Sequence, residues 1–260
     1  MNKYRIHWIV IATALLAGTL GGCDKAKEDD RKAHPLVKAA GKELAMNGRD
    51  AVLACVSCHG AAGEGNFEAG FPRLAGLHPT YIAKQLHDFQ RDPLHVGVAI
   101  EPIARDYSKT PRVYNDLTIY SPGTRHDPVM NGIAQAMTDE EITNVAAYYG
   151  NLPFTAEPVA HDFQSLERGL ELALRGKPEY MVPRCDACHG PQGEGFGPHF
   201  PPLAGQPQSY IISQINKWQN GQRDNDHMAM MKNTANMLTD GDKINVAKYY
   251  SNQSYSINTQ

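Results

Sequence analysis

Cys55-Val-Ser-Cys58-His59 and Cys185-Asp-Ala-Cys188-His189 decide the reading of this 260-residue chain. In each stretch two thiols, spaced to add across the two vinyl groups of a haem, are followed at once by an imidazole placed to reach the iron. This is the signature of c-type haem attachment. A single copy could be chance, a redox dithiol or half of a zinc site, which needs four ligands gathered in one place. Two copies in an exported chain point to two covalently bound haems, attached through Cys55, Cys58, Cys185 and Cys188 and ligated by His59 and His189.

The export segment is residues 1–22. Lys3 and Arg5 precede an apolar run over 8–20, shorter than the ~20 residues that span a bilayer. Leu20-Gly21-Gly22-Cys23 closes the run as a lipobox, which makes Cys23 the lipidated first residue of the mature chain. An ordinary cleaved signal and an uncleaved anchor are the other readings. Asp24 after the Cys matches an inner-membrane retention signal, and the charged run that follows reads as a solvated tether over 23–37. With Cys23 so used, no cysteine is left over. Net charge is −3, so no basic surface points to nucleic acid, and 42% hydrophobic residues suit a globular core.

Outward from the two motifs the chain repeats itself. Gly41-Lys-Glu-Leu-Ala-Met-Asn-Gly48 matches Gly169-Leu-Glu-Leu-Ala-Leu-Arg-Gly176, and His59-Gly-Ala-Ala-Gly-Glu-Gly65 matches His189-Gly-Pro-Gln-Gly-Glu-Gly195. Phe71-Pro-Arg-Leu-Ala-Gly76 matches Phe200-Pro-Pro-Leu-Ala-Gly205, and Tyr81-Ile-Ala-Lys-Gln85 matches Tyr210-Ile-Ile-Ser-Gln214. The segments from Thr138 to Tyr149 and from Thr239 to Tyr250 form the last pair. Blocks matched in one order mean duplicated domains: one over 38–151, a linker over 152–163 with two prolines and no helical period, and one over 164–254. Each unit reads as all-α. Thr138-Asp-Glu-Glu141 is a capping box for the last helix of the first unit. Ile142, Val145, Ala146 and Tyr149 then fall on one face, as do Val246 and Tyr250 in the second unit.

A haem held by Cys and His has one axial position left. Filled by Met, the iron is a six-coordinate electron carrier; left open, it can bind oxygen, peroxide or substrate. Met130 and Met231 each stand eight residues before the capping threonine, with Ala134 and Ala235 four residues further on. The shared register assigns both as axial ligands. Met137 and Met237 suit the core better, and Met228 and Met230 do not keep the register. His95, His126, His199 and His227 are the histidine rivals.

With two attachment motifs, two Phe-Pro-x-Leu-Ala-Gly blocks and two register-matched Met, the chain resembles the diheme cytochrome c4 family, built of tandem class I cytochrome c domains. The resemblance covers about 38–90 and 125–252. It implies a periplasmic electron shuttle from a cytochrome bc complex or a dehydrogenase to a terminal oxidase or reductase, lipid-anchored on the periplasmic side of a bacterial membrane. It also implies that the carbonyls of Pro72 and Pro201 accept the proximal His N–H, and that Tyr81, Tyr210 and Arg223 face haem propionates. Helix packing is the other reading of the two tyrosines.

One departure stands out. The stretch from Cys55 to Met130 is about 29 residues longer than that from Cys185 to Met231, and the extra residues lie near 92–124. This insert reads either as a docking or haem-covering loop for one partner or as a neutral elaboration. It also gives weight to a dedicated cytochrome subunit of a dehydrogenase complex. A diheme peroxidase or sulfur-compound dehydrogenase is the enzymatic alternative; the two matched Met and the lack of a free Cys argue against it. The acidic balance favours redox partners with a basic docking face.

Overall fold

A computed structural model describes residues 33–90, 123–156 and 163–257 of the chain. The export segment, Cys23 and nearly all of the insert lie outside the described residues.

The first domain begins with α1 (Pro35–Asn47). Pro35 at its first turn is suited by its fixed φ, and His34 accepts the Leu36 N–H. The helix therefore starts inside the stretch read as tether. The attachment motif folds as one helical turn, α2 (Val56–His59), followed by α3 (Pro79–Gln90), α4 (Pro128–Gln135) and α5 (Asp139–Gly150). Thr138 caps α5 as expected: its hydroxyl accepts the Glu141 N–H while the Glu141 carboxylate accepts the Thr138 N–H. Ile142, Val145, Ala146 and Tyr149 are all buried. α1 and α5 cross closely, and α3 packs on α5 and α4.

The second domain repeats the order with α6 (Phe163–Arg175), α7 (Asp186–His189), α8 (Gln208–Gln219), α9 (Met230–Asn236) and α10 (Asp240–Ser251). Its last helix also opens on a full capping box, Thr239 with Asp242 in the place of Glu141. α6 crosses α10 as α1 crosses α5. Each domain closes its own apolar cluster, one around Leu86, Ile142 and Tyr149, the other around Ile215, Trp218 and Tyr250.

The matched blocks are matched because they bond to one another. The Gly63 carbonyl accepts from Leu74 and Ala75, and Gly193 accepts from Leu203 and Ala204. Gly76 then donates to the Tyr149 carbonyl, and Gly205 to that of Tyr250. Gly63 and Gly193 sit at φ 71° and 76°, where a side chain would also strike the rings of Tyr149 and Tyr250.

Two short antiparallel ladders refine the all-α expectation. β1 (Thr124–Arg125) pairs with β3 (Arg223–Asp224) across the domains, with Arg125 opposite Arg223. β2 (Phe154–Ala156) pairs with β4 (Tyr255–Ile257). β2 lies within the stretch read as linker; its backbone finds a ladder partner in a segment about a hundred residues on, which no local period announces. Among the described residues, no helix is long and apolar enough to cross a membrane.

Candidate functional site

The two attachment turns are built alike. In each, the backbone of the motif closes one helical turn, and Gly60 or Gly190 ends it with its N–H on the carbonyl four residues back. His59 and His189 are each about 6% exposed. The Nδ1 of His59 lies 2.8 Å from the Pro72 carbonyl and that of His189 lies 2.8 Å from the Pro201 carbonyl. A carbonyl only accepts, so each Nδ1 carries the proton and each Nε2 is left as a lone-pair donor. Burial lowers the pKa of both imidazoles, opposed by those hydrogen bonds, which keeps them neutral as iron ligation requires.

Cys55 and Met130 pack against the first apolar cluster, and Cys185 and Met231 against the second. In each domain the attachment cysteine and the register-matched methionine thus border the same apolar cluster. Burial pushes the Cys55 thiol up, and burial with Asp186 pushes that of Cys185 up to about 12. The buried Tyr149 and Tyr250 hydroxyls lie near these sulfurs, that of Tyr149 facing the Cys55 thiol, and neither finds an oxygen or nitrogen partner among the described residues. A covalently held haem fits this donor set: neutral imidazole, paired thiols and buried polar atoms with bonding capacity to spare. Among the described residues no three His, Cys, Asp or Glu side chains gather as a metal cage.

The rival methionines are placed differently. Met137 is buried in the core and Met237 is partly buried against the second cluster, while Met228 is 77% and Met230 40% exposed. Of the rival histidines, His199 and His227 are exposed, His126 is half-buried with its Nδ1 unbonded, and His95 lies outside the described residues. Asp127 caps α4, accepting from Val129 and Met130; Asp226 takes the same part toward Met231 and Lys232. Gln90 donates to the carbonyls of Ala134 and Met137, and Gln219 to those of Ala235 and Leu238. Each methionine helix is therefore pinned at both ends.

Tyr81, Tyr210 and Arg223 meet at the domain interface. Arg223 reaches Tyr81 of the other domain at 3.3 Å, and Arg125, which the sequence reading did not single out, reaches Tyr210 at 2.9 Å. Both guanidiniums are buried, stacked on Trp218 and Phe89 respectively, and both donate to Gln85 and Gln214. Asn225 joins Gln85 to Asp88. Lys217 pairs with Asp127 across the same interface at 2.7 Å. Deeper in, the Gln206 side chain exchanges two hydrogen bonds with the Arg73 backbone.

The sequence model of the cytochrome c family matches residues 39–153 and 173–254. The chain is 38% identical over 209 residues to the thiosulfate dehydrogenase electron acceptor of Stutzerimonas stutzeri (strain A1501), covering 78% of this chain and 80% of that protein. It is 32% identical over 198 residues to cytochrome c4 of Thiocapsa roseopersicina, covering 75% and 84%. Among solved structures it is similar to thiosulfate dehydrogenase (TsdBA) from Marichromatium purpuratum, at a TM-score of 0.65 and 34% identity. That match covers 82% of this chain but 40% of the other, so the chain spans less than half of that protein. It is also similar to reduced recombinant cytochrome c4 from Pseudomonas stutzeri, at a TM-score of 0.63 and 25% identity, covering 84% and 98%. The chain belongs to the cytochrome c family, as two tandem class I domains with one covalently bound haem c each.

Proposed function

We propose that this chain is a two-haem electron carrier that takes electrons from a dehydrogenase, thiosulfate dehydrogenase first among the candidates, and delivers them to a terminal oxidase or reductase. The observation that carries the reading is that each domain holds a buried histidine with its Nδ1 on a proline carbonyl and, bordering the same cluster as the attachment cysteine, a register-matched methionine. Bound haem supplies one-electron iron chemistry. His59 with Met130, and His189 with Met231, would hold the two irons, and with both so ligated neither would offer a place for substrate. The Pro72 and Pro201 carbonyls fix the imidazole tautomer and orientation. Arg125 and Arg223 are two buried like charges with no carboxylate at ion-pair distance among the described residues, and such charges need anionic partners. With Tyr81 and Tyr210 they are the residues that would receive haem propionates, and the two redox sites would then meet at the domain interface. The donor assignment rests on the thiosulfate dehydrogenase acceptors being similar over most of their length. Export and lipidation at Cys23 put the carrier on the periplasmic side of a bacterial membrane.

Two measurements on the holoprotein test this. Carbon monoxide should leave the reduced spectrum unchanged, and a Met–iron charge-transfer band should mark the oxidised one. Anaerobic mixing with thiosulfate dehydrogenase and thiosulfate should reduce both haems, while thiosulfate alone reduces neither. Stoichiometric carbon monoxide binding to one haem, or reduction by thiosulfate without the dehydrogenase, would turn the reading toward an enzyme.

A further inference from the structure

The two domains differ most sharply where the haem is attached. Ala54 and Val56 flank Cys55, whereas Arg184 and Asp186 flank Cys185. Arg184 and Asp186 form a two-point ion pair, Nε to Oδ1 at 2.6 Å and Nη2 to Oδ2 at 2.6 Å. The pair is one-sided: the Asp186 side chain is 6% exposed and that of Arg184 is 58% exposed. A charge facing water is screened, while a charge inside the protein acts at longer range. The carboxylate therefore dominates what the interior of the second domain feels. Burial is the main cause that raises the pKa values of the Cys185 thiol and of the Tyr249 and Tyr250 phenols on α10, and the Asp186 carboxylate adds to it at all three, so its field reaches both the attachment loop and the helix packed behind it. At the matching position the first domain carries the neutral Val56. Around His59 the fields of Asp127 and Arg125 oppose each other.

We infer that Asp186 is a potential-setting residue for the haem of the second domain. A buried negative charge beside the attachment cysteine favours ferric over ferrous iron, the ferric state carrying one more positive charge. This haem's midpoint is therefore held below the value the same site would have with a neutral residue at position 186. Val56 imposes no such bias in the first domain, so an electron shared between the two haems is pushed toward the first. The inference rests on the two-haem reading and does not depend on which protein is the donor.

Reversible optical redox titration of the holoprotein tests it. Asp186→Asn keeps the shape and a hydrogen bond to Arg184 but removes the charge; one of the two midpoints should rise while the other stays. Asp186→Glu should return it toward the native value, which a purely structural role for the carboxylate shape would not do. Val56→Asp should lower the other midpoint. Movement of neither midpoint in Asp186→Asn, or of both equally, overturns the inference. Should Asp186→Asn fail to take up its second haem, Val56→Asp decides: a carboxylate placed at the matching site of the first domain must lower that domain's midpoint, and an unmoved midpoint overturns the inference equally.

Discussion

The crossing of α1 over α5 sets a quantitative test of how the first domain is held. Gly41 on α1 faces the backbone of α5. A Cβ there would stand 1.9 Å from the Asn144 carbonyl oxygen, 2.5 Å from its carbon and 2.9 Å from the Tyr148 Cβ. Restoring ordinary contact at about 3.4 Å requires the two helices to part by roughly 1.5 Å, because the atoms struck are mainly backbone and cannot swing away. Overpacking of this kind costs about 3 kcal/mol at its usual upper end. Alanine's better helix propensity returns about 1 kcal/mol. Gly41→Ala should therefore destabilise the first domain by about 2 kcal/mol, roughly thirtyfold in its folding equilibrium. Gly132 on α4 supplies the control: it is exposed and a Cβ meets nothing within 4 Å. Gly132→Ala should gain up to about 1 kcal/mol from propensity alone. Urea titration of the holoprotein, followed by helical circular dichroism and by the Met–iron band, reads both. A Gly41→Ala protein as stable as the native one, or two variants shifting the same way, would refute the steric reasoning.

Gln85→Leu removes an acceptor shared by Arg125, Arg223 and Asn225; leaving buried donors short should cost about 2–3 kcal/mol, and calorimetry should show the two domains melting further apart. Thr138→Ala and Thr239→Ala each break a capping box and should each cost about 1 kcal/mol, adding in the double variant because the sites are remote; a double variant no worse than either single one would contradict that. Glu141 is held at a pKa of about 2, chiefly by its hydrogen bond from Arg49, against the usual 4.5. A depressed carboxylate stabilises the fold above its unfolded pKa, and this stabilisation is lost as pH falls from about 4.5 toward 2. Arg49→Gln should accordingly flatten the acid limb of the stability profile in that window, measured by urea midpoints from pH 6 to pH 2.

The sequence carried the architecture because the repeat put every architectural residue in view twice. The haem motifs and the burial of Ile142, Val145, Ala146 and Tyr149 follow from local spacing and local chemistry, while the proline carbonyls came only with the family resemblance. Gln90 and Gln219 were also within reach, since each lies nine residues after the matched tyrosine. Arg125 was not, for a geometric reason. It stands five residues before Met130, whereas Arg223 stands eight before Met231. The second domain has a longer path there, in which Met228 and Ala229 both take left-handed backbone angles. Counting back from the methionines therefore misaligns the two arginines, and only the β1–β3 ladder brings them opposite one another. β2 stayed hidden for a similar reason: three residues have no period to read, and their partner lies at the far end of the second domain.

That same β2–β4 ladder fixes how the second domain is joined to anything else. Phe154, where the chain leaves the first domain, stands opposite Ile257, where it leaves the second. The second domain is thus a loop pinched shut at its neck, and its two ends are neighbours. Any polypeptide attached after Ile257 would emerge beside the junction of the two domains and not at the far pole of the molecule. A fused catalytic module would start its path next to the short stretch that connects the two haem domains. Because only a few ladder bonds hold the neck, the module could be traded by cutting and rejoining there without redrawing either helical core.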